Sequence, residues 1–264
     1  LAVSFIVNII IFIKTMHQPL WWDEADYLSA AKKWGLGINI GDIWYYRRGF
    51  LWPLIGAVFY KLGIGEIGIR FLEVLFSTGI VAASYFLIKE MFDKKRAVLV
   101  SLLVAFSWII FFFTGRLLTD IPSTFFLLVS LFFFWKGYVL KKGNKFLYLF
   151  GLFFALAVLT RMQSLMMVPA FFLVPFVKEK FKMFSNRQIW KGVLVFVMIM
   201  LPQIFLYSLH YGNPVTDIGS HYLGIGEKAE TTGNARIISM ASLNYIFDLP
   251  NMMTPWMFYF FVVG

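Results

Sequence analysis

The segment IGIRFLEVLFSTGIVAASYFLIKEMF, residues 67–92, is long and apolar enough to cross a bilayer as one helix. A membrane-spanning helix needs about 20 predominantly apolar residues, and its backbone groups are satisfied within the helix itself. Further runs meet or approach that requirement: residues 1–13, which are cut short, 98–113, 121–135, 146–159, 165–177, 192–209 and an interrupted run that starts at Pro255. We therefore predict an all-α polytopic membrane protein with about eight visible spans.

Composition supports the same class of protein. The 264 residues are 60% hydrophobic and only 14% charged, and their mean hydropathy is +0.75, whereas soluble domains are about half apolar and a quarter charged. The chain has no cysteine, which excludes a disulfide framework and thiolate metal sites. Because it starts at Leu1 and ends inside an apolar run, we expect both ends to be truncated. We treat residues 1–264 as a single transmembrane domain and expect any carboxy-terminal domain to be missing.

Basic residues in the short connections predict the orientation of the spans. Residues 89–96, 136–145 and 178–191 together carry thirteen lysines and arginines against three acidic residues, a surplus equal to the +10 net charge of the whole chain. Cytoplasmic loops are enriched in lysine and arginine, so we place these three connections in the cytoplasm. The basic charge is thus explained by topology and gives no reason to expect a nucleic acid partner.

The remaining charges gather on the opposite face. This orientation makes residues 14–66 the first outer loop and residues 209–254 the last, with the short connections 114–120 and 160–164 between them. All three histidines and the balanced set of acids and arginines fall in or beside these segments. We therefore expect an extracytoplasmic functional face, in a prokaryotic cell membrane or on the lumenal side of an ER-type membrane.

The first outer loop opens with the acidic run WWDEADY, residues 21–27. We predict a helix over residues 23–34, capped by Asp23, and a second surface helix over residues 50–63. Acids in a first turn are common because they favour the helix dipole, which is the better explanation for Asp26. Trp22 either anchors the helix in the headgroup layer or stacks on a sugar ring.

Asp23 and Glu24 form an acidic pair at the lipid boundary, where charged groups persist only when they face water, a cavity or a partner. Adjacent helical residues point about 100° apart, so one carboxylate could face a cavity while the other caps or orients. A carboxylate beside aromatic side chains in a partly dry site has the raised basicity that a general base needs. Catalysis and capping both remain open for this pair.

Three arginines lie at the outer ends of predicted spans, namely Arg70, Arg116 and Arg161. Arginine binds phosphate oxygens through paired donors, although single arginines at helix ends often extend to lipid headgroups. Asp120 fits a helix cap before Pro122 and could pair with Arg116, four residues earlier. The other polar candidates for substrate contact are Tyr27, Arg47, Arg48, Gln163 and His221. Arg47 and Arg48 could equally bind lipid phosphates.

In order and topology, these features resemble the GT-C superfamily of membrane glycosyltransferases. The most similar branch contains the dolichyl-phosphate-mannose protein mannosyltransferases and the aminoarabinose transferases of lipid A. The matching features are Asp23-Glu24 with Tyr27 after the first span, two surface helices, Arg70-Phe71-Leu72, GRLLTDIP at residues 115–122, and Leu159-Thr160-Arg161. The chain departs from the family at Arg47-Arg48-Gly49, where members often carry a His-Pro-Pro-like stretch.

The resemblance implies transfer of a sugar from a polyprenyl-phosphate donor to a protein, glycan or lipid acceptor, with inversion, on the outer face. It also implies a GT-C-like helix bundle and favours Asp23 over Glu24 as the base. Arg70, Arg116 and Arg161 become candidates for binding the donor phosphate, and the bundle would contact membrane lipids. A divalent ion, Mg²⁺ or Mn²⁺, could join an outer carboxylate, Asp23 or Glu24, to the phosphate.

Two other classes of function remain open from the residues. A transporter or flippase of a lipid-linked saccharide would share arginines and aromatic residues at headgroup depth, but transporters carry polar or broken helices near the midplane. The predicted spans are mainly apolar in their middles. A non-enzymatic scaffold subunit would leave Asp23 and Glu24 replaceable.

Overall fold

The computed structural model describes residues 1–38 and 48–213, and every regular element within those ranges is helical. Ten α-helices follow one another in these ranges: α1 Ala2–Thr15, α2 Trp22–Leu36, α3 Leu51–Lys61, α4 Gly65–Met91, α5 Lys94–Ala105, α6 Trp108–Thr114, α7 Asp120–Phe134, α8 Asn144–Thr160, α9 Val168–Glu179 and α10 Arg187–Tyr211. A π-helical turn, Trp135–Val139, extends α7, and short 3₁₀ segments flank α9 at Met162–Met167 and Lys180–Ser185. The predicted all-α class is confirmed.

Three of the described helices are long and apolar enough to cross a membrane, namely Gly65–Met91, Asp120–Val139 and Arg187–Tyr211. The pair α5 and α6 meets the same criterion only if it is counted as one bent span. Helices α1 and α8 are apolar but shorter. The described residues thus contain three or four candidate spans, and the expected total of about eight remains a prediction. The run that starts at Pro255 lies outside the described residues.

The predicted span 98–113 is broken in the structure. Helix α5 ends at Ala105, and α6 begins at Trp108 after a bend of 52°. Ser107 has extended dihedral angles and accepts the backbone N–H of Phe111, so it is the N-cap of a new helix. Serine is common at the N-cap, where the residue has non-helical dihedral angles. The sequence pattern missed this break because apolar residues continue without interruption on both sides.

Helices are present over both segments predicted to be helical between residues 14 and 66, as α2 and α3, and their placement on the outer membrane surface remains a prediction. Helix α2 begins at Trp22, with Trp21 as its N-cap, so the predicted capping role of Asp23 is wrong. The Glu24 carboxylate instead accepts the Trp21 backbone N–H at 2.6 Å, as an acid in the third helical position does in a capping box. Gly37 ends the helix at a φ of 70°, a left-handed conformation that glycine adopts without strain.

Two clusters of buried side chains hold these helices together. The larger cluster centres on aromatic residues of α7, α8 and α9, where Phe134, Phe150 and Phe154 surround Phe171 at centroid distances of 4.8 to 5.3 Å. The smaller joins α2, α3 and α4 to the turn before α7 through Leu28, Trp52, Ile69 and Leu117. Within lipid such packing gains mainly van der Waals contact, since lipid tails are themselves apolar.

The chain divides into two compact units, Leu1–Leu201 and Pro202–Gly264, with the boundary inside α10. All residues whose contacts are described below belong to the first unit. The treatment of the whole chain as one domain remains a prediction.

Candidate functional site

The start of α2 is tied to the turn before α7 by the Glu24 carboxylate. One carboxylate oxygen accepts the Trp21 backbone N–H at 2.6 Å, and the other accepts the Leu117 backbone N–H at 2.9 Å. The Glu24 side chain is fully buried. The partly dry environment expected for the acidic pair therefore holds for Glu24, and the structure gives this residue a positioning role.

Arg116 lies beside this junction. Its guanidinium is centred 3.8 Å from the Trp21 ring and 5.8 Å from the Phe112 ring, and one guanidinium nitrogen is 3.9 Å from a Glu24 oxygen. Only 16% of the Arg116 side chain is exposed. Within the described residues the guanidinium donates no hydrogen bond. A mostly buried cation with unused donors is suited to an anionic ligand.

Asp23 points away from its neighbour, as the helical geometry predicted. Its side chain is 60% exposed and contacts Arg48, whose guanidinium lies 3.2 Å from Asp23 and 3.1 Å from Asp26. The same guanidinium is 5.6 Å from the centre of the Tyr27 ring. The partly dry site expected for the pair thus does not hold for Asp23. Asp26, which lies in the first turns of α2 as predicted, pairs with the same guanidinium.

Tyr27 lies where several candidate residues meet. Burial raises the pKa of its hydroxyl, a side-chain hydrogen bond with Thr119 opposes this effect, and Arg48, Asp23 and Arg161 are close enough to contribute charge. The structure therefore brings residues of α2, the segment before α3, the start of α7 and the end of α8 into one neighbourhood. Tyr27 is half-buried and is the central side chain of that group.

Arg161 follows the end of α8 and pairs with Asp120, the first residue of α7, at 2.5 Å. The helix cap is Thr119, so the expected capping role of Asp120 is wrong, and so is its expected pairing with Arg116. Arg116 pairs with Glu24 because the chain turns between α6 and α7. Both partners of the Arg161–Asp120 pair remain partly exposed, at 36% and 28%.

Arg70 has a different environment from the other two arginines. Its guanidinium lies 2.8 Å from Glu66, and it donates to the carbonyl oxygens of Gly115 at 3.3 Å, Gln18 at 3.2 Å and Thr15 at 3.5 Å. The side chain is only 3% exposed. Its donors serve the protein itself, joining the end of α1 to α4 and the α6–α7 turn. The structure thus gives Arg70 a structural role, and the phosphate-binding role expected from sequence remains a prediction.

Gly49 places Arg48 beside the end of α8. The backbone at Gly49 runs so close to the Leu159 carbonyl that a Cβ atom has no room. Only glycine permits this close backbone approach. The Arg47-Arg48-Gly49 stretch, which departs from the family pattern, thus has a specific packing reason for its third residue.

The remaining predicted residues lie outside this group. The Trp22 side chain is 93% exposed at the start of α2, and Gln163 is exposed in the 3₁₀ segment before α9. For neither side chain does the structure show a hydrogen bond within the described ranges. Arg47 and His221 lie outside the described residues.

Sequence reasoning missed one buried acid. Glu73 lies inside α4 and is fully buried, and neither carboxyl oxygen has a hydrogen-bond partner within the described part of the chain. Asp120 and Glu24 are close enough to act on it electrostatically. An ionisable residue within a membrane-spanning helix is itself a signal of function, and it could have been found in the opening segment, residues 67–92.

Residues 1–38 and 48–213 contain no group of three or more histidine, aspartate or glutamate side chains close enough to share a metal ion. Asp23 and Glu24 point in different directions and do not form a common ligand set. The dependence on Mg²⁺ or Mn²⁺ that the resemblance suggested remains a prediction.

The fold and the site define an integral membrane protein in which arginines and carboxylates from several helices meet. The dolichyl-phosphate-mannose-protein mannosyltransferase family matches residues 47–205, so the chain belongs to this family, and the resemblance to the GT-C superfamily is confirmed. The match includes Arg116, Asp120 and Arg161 but starts after Asp23 and Glu24.

The chain is also 25% identical over 178 residues to a protein of Aquifex aeolicus (strain VF5) described as "Uncharacterized protein". The aligned region is 64% of this chain and 36% of that relative, so the chain spans about a third of the relative's length. No solved structure matches the chain.

Proposed function

We propose that this chain carries the catalytic site of a membrane glycosyltransferase that takes a sugar from a polyprenyl-phosphate donor. The acceptor is a protein, glycan or lipid on the extracytoplasmic face, and transfer proceeds with inversion. Family membership supports the donor class. The placement on the outer face is supported by the distribution of basic residues, which leaves the acids and arginines of the site on the side away from the basic connections.

Arg116 is the observation that carries the proposal. It is mostly buried and ordered by Trp21 and Glu24, yet its guanidinium donates no hydrogen bond within the described residues. A phosphate supplies the acceptor oxygens that such a group lacks. When the sugar is transferred, negative charge grows on the departing phosphate, so a fixed cation binds the transition state more tightly than the ground state. Arg161, which forms an ion pair with Asp120, is the second candidate for contact with the donor phosphate.

Asp23 is the proposed base. The acceptor oxygen forms a bond to the anomeric carbon while the bond from that carbon to the phosphate oxygen breaks, and the electron pair leaves with the polyprenyl phosphate. Asp23 takes the acceptor proton. Its exposure admits an acceptor from the aqueous side, and Arg48 holds its carboxylate in place. Glu24 is too deeply buried for this task, and its oxygens already accept backbone N–H groups.

The test uses purified full-length protein with a radiolabelled polyprenyl-phosphate sugar. Asp23→Asn is compared with Asp26→Asn, because both acids contact the same Arg48 guanidinium. We expect Asp23→Asn to lower kcat by about 10²-fold or more, the usual contribution of a general base, and Asp26→Asn to keep most of the activity. Equal activity in both variants would contradict the assignment of Asp23.

Binding of the donor is measured separately. Arg116→Ala should raise the donor KM by about 10- to 100-fold, as expected for loss of charge-assisted hydrogen bonds. Arg96→Ala is the control, since Arg96 is exposed in a connection predicted to be cytoplasmic and pairs locally with Asp93. The stereochemistry of the product, read by NMR, tests inversion, and a retained anomeric configuration would refute a single displacement.

A further inference from the structure

The Trp21 side chain lies between the acidic pair and the arginine proposed to bind phosphate. Its indole is 3.8 Å from the Arg116 guanidinium and packs at a tilt against Phe112, with 5.6 Å between ring centres. Its own backbone N–H is held by Glu24. We infer that Trp21 is a positioning residue that clamps Arg116 for the donor phosphate. This inference rests on the proposed function and adds a residue to it.

The geometry of a guanidinium explains why a clamp of this kind serves phosphate binding. The group is planar, and its five N–H donors lie in the plane. An aromatic ring over one face therefore restrains the group without using any donor. In Arg116 the face is covered by Trp21, and the donors remain unused within the described residues. A lysine in the same place would lose this restraint because its ammonium has no plane to stack.

Trp21 is itself held in place through its backbone and through its ring. The Glu24 carboxylate accepts the Trp21 N–H at 2.6 Å and the Leu117 N–H at 2.9 Å, so one carboxylate joins the residue that carries the indole to the residue that follows Arg116. Phe112, four residues before Arg116, packs against the indole with 5.6 Å between ring centres. A free arginine side chain samples many rotamers. Ordering it before the donor arrives reduces the entropy lost on binding.

Trp21 could instead be only a membrane-interface anchor, since 46% of it is exposed and tryptophan favours that depth. The two roles differ in what they affect. An anchor stabilises the protein and leaves the donor KM unchanged. A clamp acts through Arg116, so its removal raises the donor KM, and the effect disappears once Arg116 is absent.

The experiment is a double-mutant cycle on the full-length protein, with donor KM, kcat and thermal stability measured for each variant. Trp21→Ala should raise the donor KM by about 2- to 30-fold, the range of a cation–π contact, with a smaller change in kcat. In the Arg116→Ala background the same substitution should change the donor KM by less than about twofold. Trp190→Ala is the matched control, because Trp190 has the same 46% exposure and lies within a connection predicted to be cytoplasmic.

A second series of Trp21 variants keeps the inference testable if Trp21→Ala fails to fold. Trp21→Tyr and Trp21→Phe keep a ring over Arg116, whereas Trp21→Leu keeps bulk without a ring. Donor KM should rise in the order Trp, Tyr, Phe, Leu, following the strength of the ring quadrupole. Equal donor KM values for Phe and Leu, or an undiminished effect of Trp21→Ala in the Arg116→Ala background, would overturn the clamp alone. An unchanged donor KM in Arg116→Ala itself would overturn the phosphate role of Arg116 and the clamp together.

Discussion

The Glu24 carboxylate accepts the backbone N–H of Leu117 at 2.9 Å, across 93 residues of sequence. This bond fixes the start of α2 against the turn that carries Arg116. The same carboxylate caps α2 through Trp21. Within the acidic pair, Glu24 is therefore buried and joins two segments of the chain, whereas Asp23 is exposed, as its proposed role as the base requires.

Replacing Glu24 should destabilise the protein. Glu24→Ala leaves the buried Leu117 N–H without a partner, and a lost hydrogen bond to a charged group costs about 1.5 to 3 kcal/mol. The control is Asp93→Ala, because Asp93 also caps a helix by accepting the Arg96 N–H at 2.8 Å but is exposed. Thermal unfolding in detergent should show a clearly larger loss for Glu24→Ala. Equal losses would mean that the bond to Leu117 adds nothing to stability.

Arg70 is expected to act on folding more than on donor binding. Its guanidinium joins Glu66 to three backbone carbonyls, and a lysine ammonium cannot reproduce this planar set of bonds. Arg70→Lys should therefore lower the Tm nearly as much as Arg70→Met, while the exposed Arg96→Lys leaves it unchanged. A normal Tm for Arg70→Lys combined with a raised donor KM would restore the phosphate-binding role predicted from sequence.

The buried Glu73 carboxyl group should lower the free energy of unfolding of the protein. Its two buried carboxyl oxygens lack hydrogen-bond partners in the described ranges, and replacing such a group by an apolar side chain of similar size is often neutral or stabilising. We expect Glu73→Met to keep or raise the Tm. Glu90→Met in the same helix is the control and should lower the Tm, because Glu90 pairs with Lys136 and Lys142.

The activity of Glu73→Met then separates two explanations for retaining the acid. Lost activity with an undiminished Tm would show that Glu73 serves function at the expense of stability. A large fall in Tm would contradict the prediction and indicate a partner for Glu73 beyond the described residues.

The protein should lose stability in alkaline solution because the Tyr60 hydroxyl ionises there. Burial raises the pKa of Tyr60 from 10.0 to about 12, with Glu66 adding to the effect and Arg70 opposing it. Because the folded pKa lies above the unfolded one, the contribution of Tyr60 is complete below about pH 10 and is lost as the pH rises towards about 12.

Tyr60→Phe should remove this part of the pH dependence. It also removes a buried hydroxyl that has no partner within the described residues, so no loss of stability is expected near neutral pH. Thermal unfolding followed from pH 8 to 12 tests both points, with Tyr148→Phe as the control because Tyr148 is exposed. Parallel curves for wild type and Tyr60→Phe would contradict the prediction.

The sequence by itself determined the class of protein, most helices and the family. Apolar runs predict helices because backbone groups in lipid must bond locally, and residues 67–92 correspond closely to α4. The different directions of the Asp23 and Glu24 side chains also followed from helical geometry alone. These features depend on neighbours a few residues apart, which the sequence displays directly.

Only the tertiary structure decided the partners of the charged residues. The sequence suggested three equivalent arginines, but Arg70 is enclosed by carbonyls from distant segments, Arg161 pairs with Asp120, and Arg116 stacks on Trp21. These contacts join residues about 40 to 100 positions apart, and hydrogen bonds and ion pairs depend on separations of a few ångströms. No periodicity in the sequence reports those distances, so the role of each arginine emerges only from the packed helices.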